Sequence, residues 1–172
     1  HRSEELMFVV KSVVARQSSQ GKIVILQGYD VSKYFDKEMI EDAFLTCLKR
    51  GANQKASQLW FKLNEHTRIR VRTGVGMTKY TEAGALVGQG TIGGALVSQG
   101  VLDEGISGQF SPGGEDEMNY GSVPVAPLIF MDDIIHGAEG VEEARLANRK
   151  IDIVAKKLNL QLNQDKTVCT VM

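Results

Sequence analysis

The stretch Leu128-Ile129-Phe130-Met131-Asp132-Asp133-Ile134-Ile135 places two adjacent carboxylates between two runs of strand-forming apolar residues. Carboxylates are rarely buried without a partner, and two side by side repel each other. We therefore expect a cation that compensates both charges at this point of an apolar sheet.

A third acid follows a strand-like pattern near the start of the chain. The segment 22–30 (KIVILQGYD) is apolar and ends on Asp30. Two strands that each deliver an acid to one place would supply oxygen ligands for Mg²⁺, the ion of reactions on nucleotide phosphates. The alternative for Asp132 and Asp133 is a hairpin turn, a position that acids favour.

Four short segments resemble, in order and spacing, the motifs of reverse transcriptases of the retroelement kind. The segments are DVSKYFD (30–36) for motif A, VGQGT (87–91) for motif B, FMDD (130–133) for motif C and LQLNQDKT (160–167) for motif D. The corresponding motif regions are residues 22–36, 87–99, 128–136 and 141–168. One short match alone is weak, but four in the right order over most of the chain form a specific signal.

The resemblance implies a catalytic centre that holds two Mg²⁺ ions, with Mn²⁺ as a possible substitute. It assigns metal and catalytic roles to Asp30 and Asp132, with Asp133 as a secondary acid, and it makes the backbone carbonyl of Val31 a further metal ligand. It also implies that Lys166 donates a proton to the leaving pyrophosphate. The alternative for Lys166 is a solvated lysine in a tight turn.

The resemblance also defines a nucleotide pocket. Phe35 would collide with a ribose 2′-hydroxyl, which implies dNTP substrates; the alternative is a core aromatic. Gln89 and Gly90 would line the pocket, where the glycine allows close approach of the backbone. The segment 88–93 also reads GxGxxG, but a poor strand precedes it, which argues against a dinucleotide fingerprint.

The function implied is that of an RNA-directed DNA polymerase palm, which transfers nucleotides from dNTPs to a primer 3′-hydroxyl on an RNA or DNA template. We expect the parent polypeptide to supply fingers and thumb segments. A viral RNA-dependent RNA polymerase palm is an alternative, disfavoured by the bulky Phe35 and by the lack of a Gly-Asp-Asp. Another is a decayed palm that binds nucleic acid or a protein without catalysis.

Charge gives little support to nucleic-acid binding, because 20 Lys and Arg face 21 Asp and Glu for a formal charge of -1. Locally, Arg68, Arg70 and Arg72 alternate with Ile69 and Val71. On one strand the three arginines would share a face while the apolar pair points inward. This face is either solvated or a stripe that contacts phosphates.

Length and composition predict one domain over 172 residues with 42% hydrophobic content. No apolar run approaches the roughly 20 residues of a membrane span, and the start HRSEELMF has no signal-peptide pattern. We expect an intracellular protein with no membrane partner. Cys47 and Cys169 are far apart in sequence, and both are predicted to be core thiols.

The pattern of elements predicts an α+β fold, a mainly antiparallel sheet with helices packed on one face and the acids on the other. Asp36 and Asn53 are the predicted N-caps of two successive helices. The apolar face of the second helix is predicted to comprise Ala56, Leu59, Trp60 and Leu63. A hairpin within 123–136 is predicted to turn at Asp132-Asp133, and His136 is predicted to lie at the surface.

Overall fold

The computed structural model describes residues 3–32, 34, 39–82, 93–110, 118–120 and 123–172. The helices of this part of the chain are α1 (Ser3–Ser19), α2 (Ile40–Lys49), α3 (Gln54–Glu65), α4 (Gly94–Ser107) and α5 (Val141–Lys157). Its strands are β1 (Ile25–Ser32), β2 (Arg68–Ile69), β3 (Arg72–Thr73), β4 (Gly76–Met77), β5 (Thr81–Glu82), β6 (Met118–Tyr120), β7 (Val123–Val125), β8 (Leu128–Phe130), β9 (Asp133–Ala138), β10 (Gln161–Leu162) and β11 (Val168–Val171). The predicted α+β class is confirmed.

The central sheet is antiparallel, and β1 lies in its middle. The strand order is β10-β1-β9-β8, and β11 also pairs with β1. Both β10 and β11 lie on the edge of β1 away from β9, with β11 along 25–28 and β10 along 31–32. Residues 161–171 therefore return along the same strand that carries Asp30.

Side chains of β1 alternate between two faces, and α5 packs against one of them. Ile25 forms a buried cluster there with Ala138 of β9 and Ala144 of α5. The spacing of the apolar residues over 141–158 predicts an inward stripe with the period of an α-helix, and the helix presents that stripe. Its buried residues are Ala144, Ala147, Ile151, Val154 and Ala155.

The opposite face of β1 carries Leu26, Gly28 and Asp30. Leu26 packs at a cluster around Val13 of α1, so this helix contacts the Leu26 end of the face. Asp30 lies four positions after Leu26 on this strand, which is a distance of about 13 Å. Asp30 thus lies at the other end of the face from the contact with α1.

The chain divides into two compact units, one formed by the chain up to Ser32 together with Leu102–Met172, the other by Lys33–Val101. The first contains the central sheet. The second contains α2, α3 and the short strands β2 to β5. The prediction of one palm domain over residues 1–172 stays a prediction.

In the second unit, the two predicted helix caps have different outcomes. The Asn53 side chain accepts hydrogen bonds from the backbone N–H groups of Lys55 and Ala56, as an N-cap does. Helix α2 begins at Ile40 with Met39 as its N-cap, and Asp36, the predicted cap, lies outside the described residues. Acidic residues in the first turn of α2 complement the helix dipole instead.

The predicted apolar face of α3 is also wrong, because Leu59 and Leu63 are exposed. The helix instead buries Ser57, and the ring of Phe61 lies 5.4 Å from that of Phe44 on α2. Residues 57 and 61 are one helical turn apart, so the packed stripe is rotated relative to the predicted one.

Two further predictions of burial are wrong. Cys169 is exposed, because it lies on β11, all of whose residues are exposed, whereas Cys47 is partly buried. His136 is buried at 1% exposure, with its ring 5.4 Å from that of Phe110. It shares the face of β9 with Ile134 and Ala138, which pack toward the helix side of the sheet.

Within the described residues, no helix is long and apolar enough to cross a bilayer.

Candidate active site

The β8–β9 hairpin turns through Met131 and Asp132, one residue earlier than predicted, and Asp133 is the first residue of β9. Phe130 pairs with Asp133, which leaves two residues in the loop. Met131 has a φ of 56°, and a positive φ at the first loop residue suits the twist of two-residue hairpins. Asp133 therefore belongs to a strand, and the prediction that it forms part of the turn is wrong.

Asp133 lies directly opposite Asp30 in the register of β9 and β1. The backbone N–H of Val31 donates to the carbonyl of Asp132 at 3.1 Å, so Asp30 and Asp133 form a pair without hydrogen bonds of its own. In such pairs the Cα atoms are about 4.5 Å apart and the side chains share one face. Asp30 of motif A and Asp133 of motif C thus lie on neighbouring strands at one end of one face, and Asp132 lies in the adjoining turn.

This concentration of negative charge affects Asp133. Its pKa is raised above the ordinary value, first by desolvation and then by the charges of Asp132 and Asp30, while Lys166 opposes the shift. A proton therefore binds more favourably here than at an isolated carboxyl.

Asp30 is engaged by the segment that follows β10. The side-chain Nδ2 of Asn163 donates to Oδ2 of Asp30 at 3.0 Å, and the Lys166 Nζ lies 3.1 Å from Oδ1. The backbone N–H of Asn163 also donates to the Asp30 carbonyl at 2.8 Å. The predicted motif D lysine therefore contacts the predicted motif A acid.

Asn163 is the site residue that the sequence reasoning missed. It lies three residues before Lys166, inside the segment that resembles motif D, and its short polar side chain was the available signal. Its carbonyl accepts bonds from the N–H of Lys166 at 3.2 Å, from the N–H of Thr167 at 3.0 Å and from Thr167 Oγ1 at 2.8 Å. These bonds close the tight turn predicted around Lys166.

The predicted magnesium site can be compared with these groups. Carboxylate oxygens of Asp30, Asp132 and Asp133 are ligands that Mg²⁺ prefers. The Val31 carbonyl lies on the same side of β1 as its N–H, toward Asp132. Among the described residues, however, no group of three or more His, Cys, Asp or Glu is arranged to hold an ion. The donor types fit, and the metal role stays a prediction.

Three predicted nucleotide-binding residues, Phe35, Gln89 and Gly90, lie outside the described residues. Their roles stay predictions.

The arginine-rich segment differs from the single strand predicted. Arg68 begins β2 and Arg72 begins β3, and the two short strands pair with β5 and β4. Arg68 lies 3.7 Å from Glu82, and Arg70 lies over the ring of Tyr80, 4.9 Å from its centroid. The three arginines are exposed, and their binding role stays a prediction.

The apolar pair between these arginines does not point inward as predicted. Ile69 and Val71 are 51% and 59% exposed. The two-residue ladders of β2 to β5 are exposed on both faces, so they form a ribbon and bury no inner side.

The described part of the chain has a reverse-transcriptase-like fold, which solved telomerase structures share. Apo telomerase from Candida tropicalis, truncated from its C-terminal domain, matches with a TM-score of 0.69 and 12% identity over 100% of this chain and 36% of that one. Telomerase from Candida albicans in complex with the TWJ fragment of telomeric RNA matches with a TM-score of 0.64 and 9% identity over 99% of this chain and 31% of that one.

These likenesses show the fold, and the chain spans about a third of the length of those telomerases. The reverse-transcriptase-like fold expected from the motifs is confirmed, whereas a retroelement origin is not shown by it. No protein-family model matches the chain, and no curated protein matches it.

Proposed function

We propose that this chain is the palm of an RNA-directed DNA polymerase, which transfers nucleotides from dNTPs to a primer 3′-hydroxyl on an RNA or DNA template. One observation carries the proposal. Asp30 lies opposite Asp133, with Asp132 in the adjoining turn, so the acids of two motifs that are about 100 residues apart in sequence meet at one end of one sheet face.

The chemistry follows from the groups at this end of the sheet. Two Mg²⁺ ions held there would activate the primer hydroxyl and neutralise the charge of the leaving pyrophosphate. Asp30 and Asp132 would hold these ions, and Asp133 adds negative charge beside them. Lys166 carries an exposed ammonium within reach of Asp30, which suits it to give a proton to the pyrophosphate as that group leaves.

The parent enzyme is proposed to be an intracellular retroelement protein that supplies fingers and thumb. The motif resemblance supports the retroelement origin. RNA as a partner is supported by the fold alone, since some telomerases that share it are solved with an RNA fragment.

A second candidate is a palm that binds nucleic acid or a protein without catalysis. One observation favours it: both carboxylate oxygens of Asp30 are bonded to side chains of this chain, Oδ2 to Asn163 and Oδ1 to Lys166.

Primer extension by the full-length parent, with and without Mg²⁺, distinguishes these candidates. The polymerase proposal predicts Mg²⁺-dependent extension that Asp132→Asn abolishes while the thermal unfolding midpoint changes little, because the lost charge acts mainly on the transition state. Asp165→Asn is the matched control, since Asp165 is an exposed acid in the turn that contains Lys166. Near-normal turnover of Asp132→Asn would show that the acidic doublet is structural.

A further inference from the structure

We propose that Asn163 is a positioning residue, which orients the Asp30 carboxylate and holds the 163–167 turn beside it. The inference rests on the proposed function in one respect, because it takes Asp30 to be the motif A acid that binds the cation. It adds a residue to which the motif resemblance assigned no role.

Asn163 contacts Asp30 through both its side chain and its backbone. Asn163 makes two bonds to the same residue, one from its side chain to Oδ2 at 3.0 Å and one from its backbone N–H to the Asp30 carbonyl at 2.8 Å. The backbone bond fixes where the amide side chain starts, and the side-chain bond then fixes the rotation of the carboxylate. Two such bonds set an orientation that one bond alone would leave free.

The Asp30 carboxylate also contacts the side chain of Lys166. The Lys166 side chain is 66% exposed and the Asp30 side chain 18%. An exposed lysine loses rotamer entropy when it is held, and exposed ion pairs of this kind stabilise little. A hydrogen bond to a charged group from a shorter, partly buried side chain stabilises more. Asn163 is therefore the stronger constraint on Asp30.

The 163–167 turn lies between β10 and β11. Gln164, Asp165 and Lys166 are exposed, and β10 before the turn has two residues. Behind the turn, Asn163 and Thr167 line a pocket of about 780 Å³ that extends to α5. The flanking strands β10 and β11 both pair with β1, and between them the turn is joined to Asp30 by the two bonds of Asn163 and by the contact of Lys166.

The side chain of Asn163 is uncharged. A neutral amide donates to Oδ2 without cancelling the charge of Asp30, so the carboxylate stays available to a cation. An aspartate at position 163 would have nearly the same shape but would present an acceptor to an acceptor, and like charges so close repel.

The test uses the full-length parent and two readouts. The first is the Mg²⁺ concentration for half-maximal primer extension, and the second is Mn²⁺ binding by electron paramagnetic resonance in the absence of nucleotide. Asn163→Ala is expected to weaken the response to both ions by about tenfold or more, as loss of a hydrogen bond to a metal ligand typically does. Asn163→Asp is expected to weaken them further, and its near-identical shape keeps the test available if Asn163→Ala fails to fold.

Thr167→Ala is the matched control. It removes the bond from Thr167 Oγ1 to the Asn163 carbonyl, and thus loosens the same turn without touching Asp30. Ion dependence close to that of the wild type is expected. An equal shift in Thr167→Ala and Asn163→Ala would overturn the positioning role, as would wild-type ion dependence in Asn163→Ala.

The proposed function and this inference can fail separately. Mn²⁺ binding that Asp30→Asn removes and Asn163→Ala weakens, in a parent without primer extension, would refute the polymerase and support the positioning role. Primer extension that Asp132→Asn abolishes, with ion responses unchanged in Asn163→Ala, would do the reverse. A wild-type parent without Asp30-dependent Mn²⁺ binding would overturn both.

Discussion

Asp30 of β1 lies directly opposite Asp133 of β9, in a pair whose side chains share one face of the sheet. Two carboxylates at this spacing repel each other, and the Lys166 ammonium beside Asp30 offsets part of the repulsion. The arrangement is unfavourable for stability alone, which is the usual mark of a site kept for binding or chemistry.

The raised pKa of Asp133 predicts a specific pH dependence. The folded protein binds this proton more tightly than the unfolded chain, so the associated stability is present below the ordinary carboxyl pKa and is lost as the pH rises through the raised value. Asp132→Asn should lower the pKa of Asp133, because it removes a repelling charge, and Lys166→Met should raise it. Carboxyl ¹³C titration by NMR measures both, and shifts in the opposite directions would contradict the charge arrangement described here.

Phe35 is predicted to select the sugar. If its ring packs against C2′ of the incoming nucleotide, Phe35→Ala should raise the use of rNTPs relative to dNTPs by about tenfold to a hundredfold, since overlap with one extra heavy atom costs about 1–3 kcal/mol. Relative incorporation efficiencies measure this ratio, and Phe8→Ala, which removes an exposed ring of α1, is the control. An unchanged ratio would place Phe35 in the core and remove the main support for a DNA product.

Met131 predicts a stabilising substitution. Its φ of 56° is a conformation in which a Cβ is strained, and glycine avoids that strain. Met131→Gly should raise the free energy of unfolding by about 1 kcal/mol, from a strain of about 1–2 kcal/mol less the extra entropy that glycine loses on folding. Met131→Ala keeps the Cβ and should give no such gain. Chemical denaturation compares the two variants. Equal changes in the free energy of unfolding would show that loss of the Met131 side chain, and not relief of backbone strain, causes the effect.

Gly28 predicts a coupled pair. A Cβ at this position would lie 3.1 Å from Cγ2 of Val168, its partner on β11, so Gly28→Ala should destabilise the pairing of β1 with β11. Val168→Ala removes that methyl group, and Gly28→Ala should be better tolerated in its presence. A double-mutant cycle is expected to show a coupling of about 0.5–1 kcal/mol. Additive effects would mean that the strands separate enough to accept the Cβ.

Local patterns predicted the elements that have strong periodicity. The apolar stripe of α5 and the Asn53 cap are written in neighbouring residues, and the structure contains both. The strand that ends near Asp30 was also predicted, although β1 continues to Ser32. Periodicity and capping depend on spacing along the chain, so a sequence determines them without reference to the rest of the fold.

Burial was predicted less well where it depends on distant partners. Ile69 and Val71 alternate like a half-buried strand, yet they lie on an exposed ribbon. His136 is a polar residue that the tertiary packing buries beside Phe110. Alternation and polarity indicate that a face could be buried, whereas the presence of another element over it decides whether it is.

The sequence by itself determined that one strand leads to Asp30 and that a hairpin carries the Asp132-Asp133 doublet, because these apolar patterns are local. Only the tertiary structure decided that Asp133 is the residue opposite Asp30, since the pairing of β1 with β9 sets that register and a shift of one residue would move each side chain to the other face. The bond between Asn163 and Asp30 likewise joins residues 133 positions apart. It exists because β10 returns along the free edge of β1, and that pairing is a property of the assembled sheet.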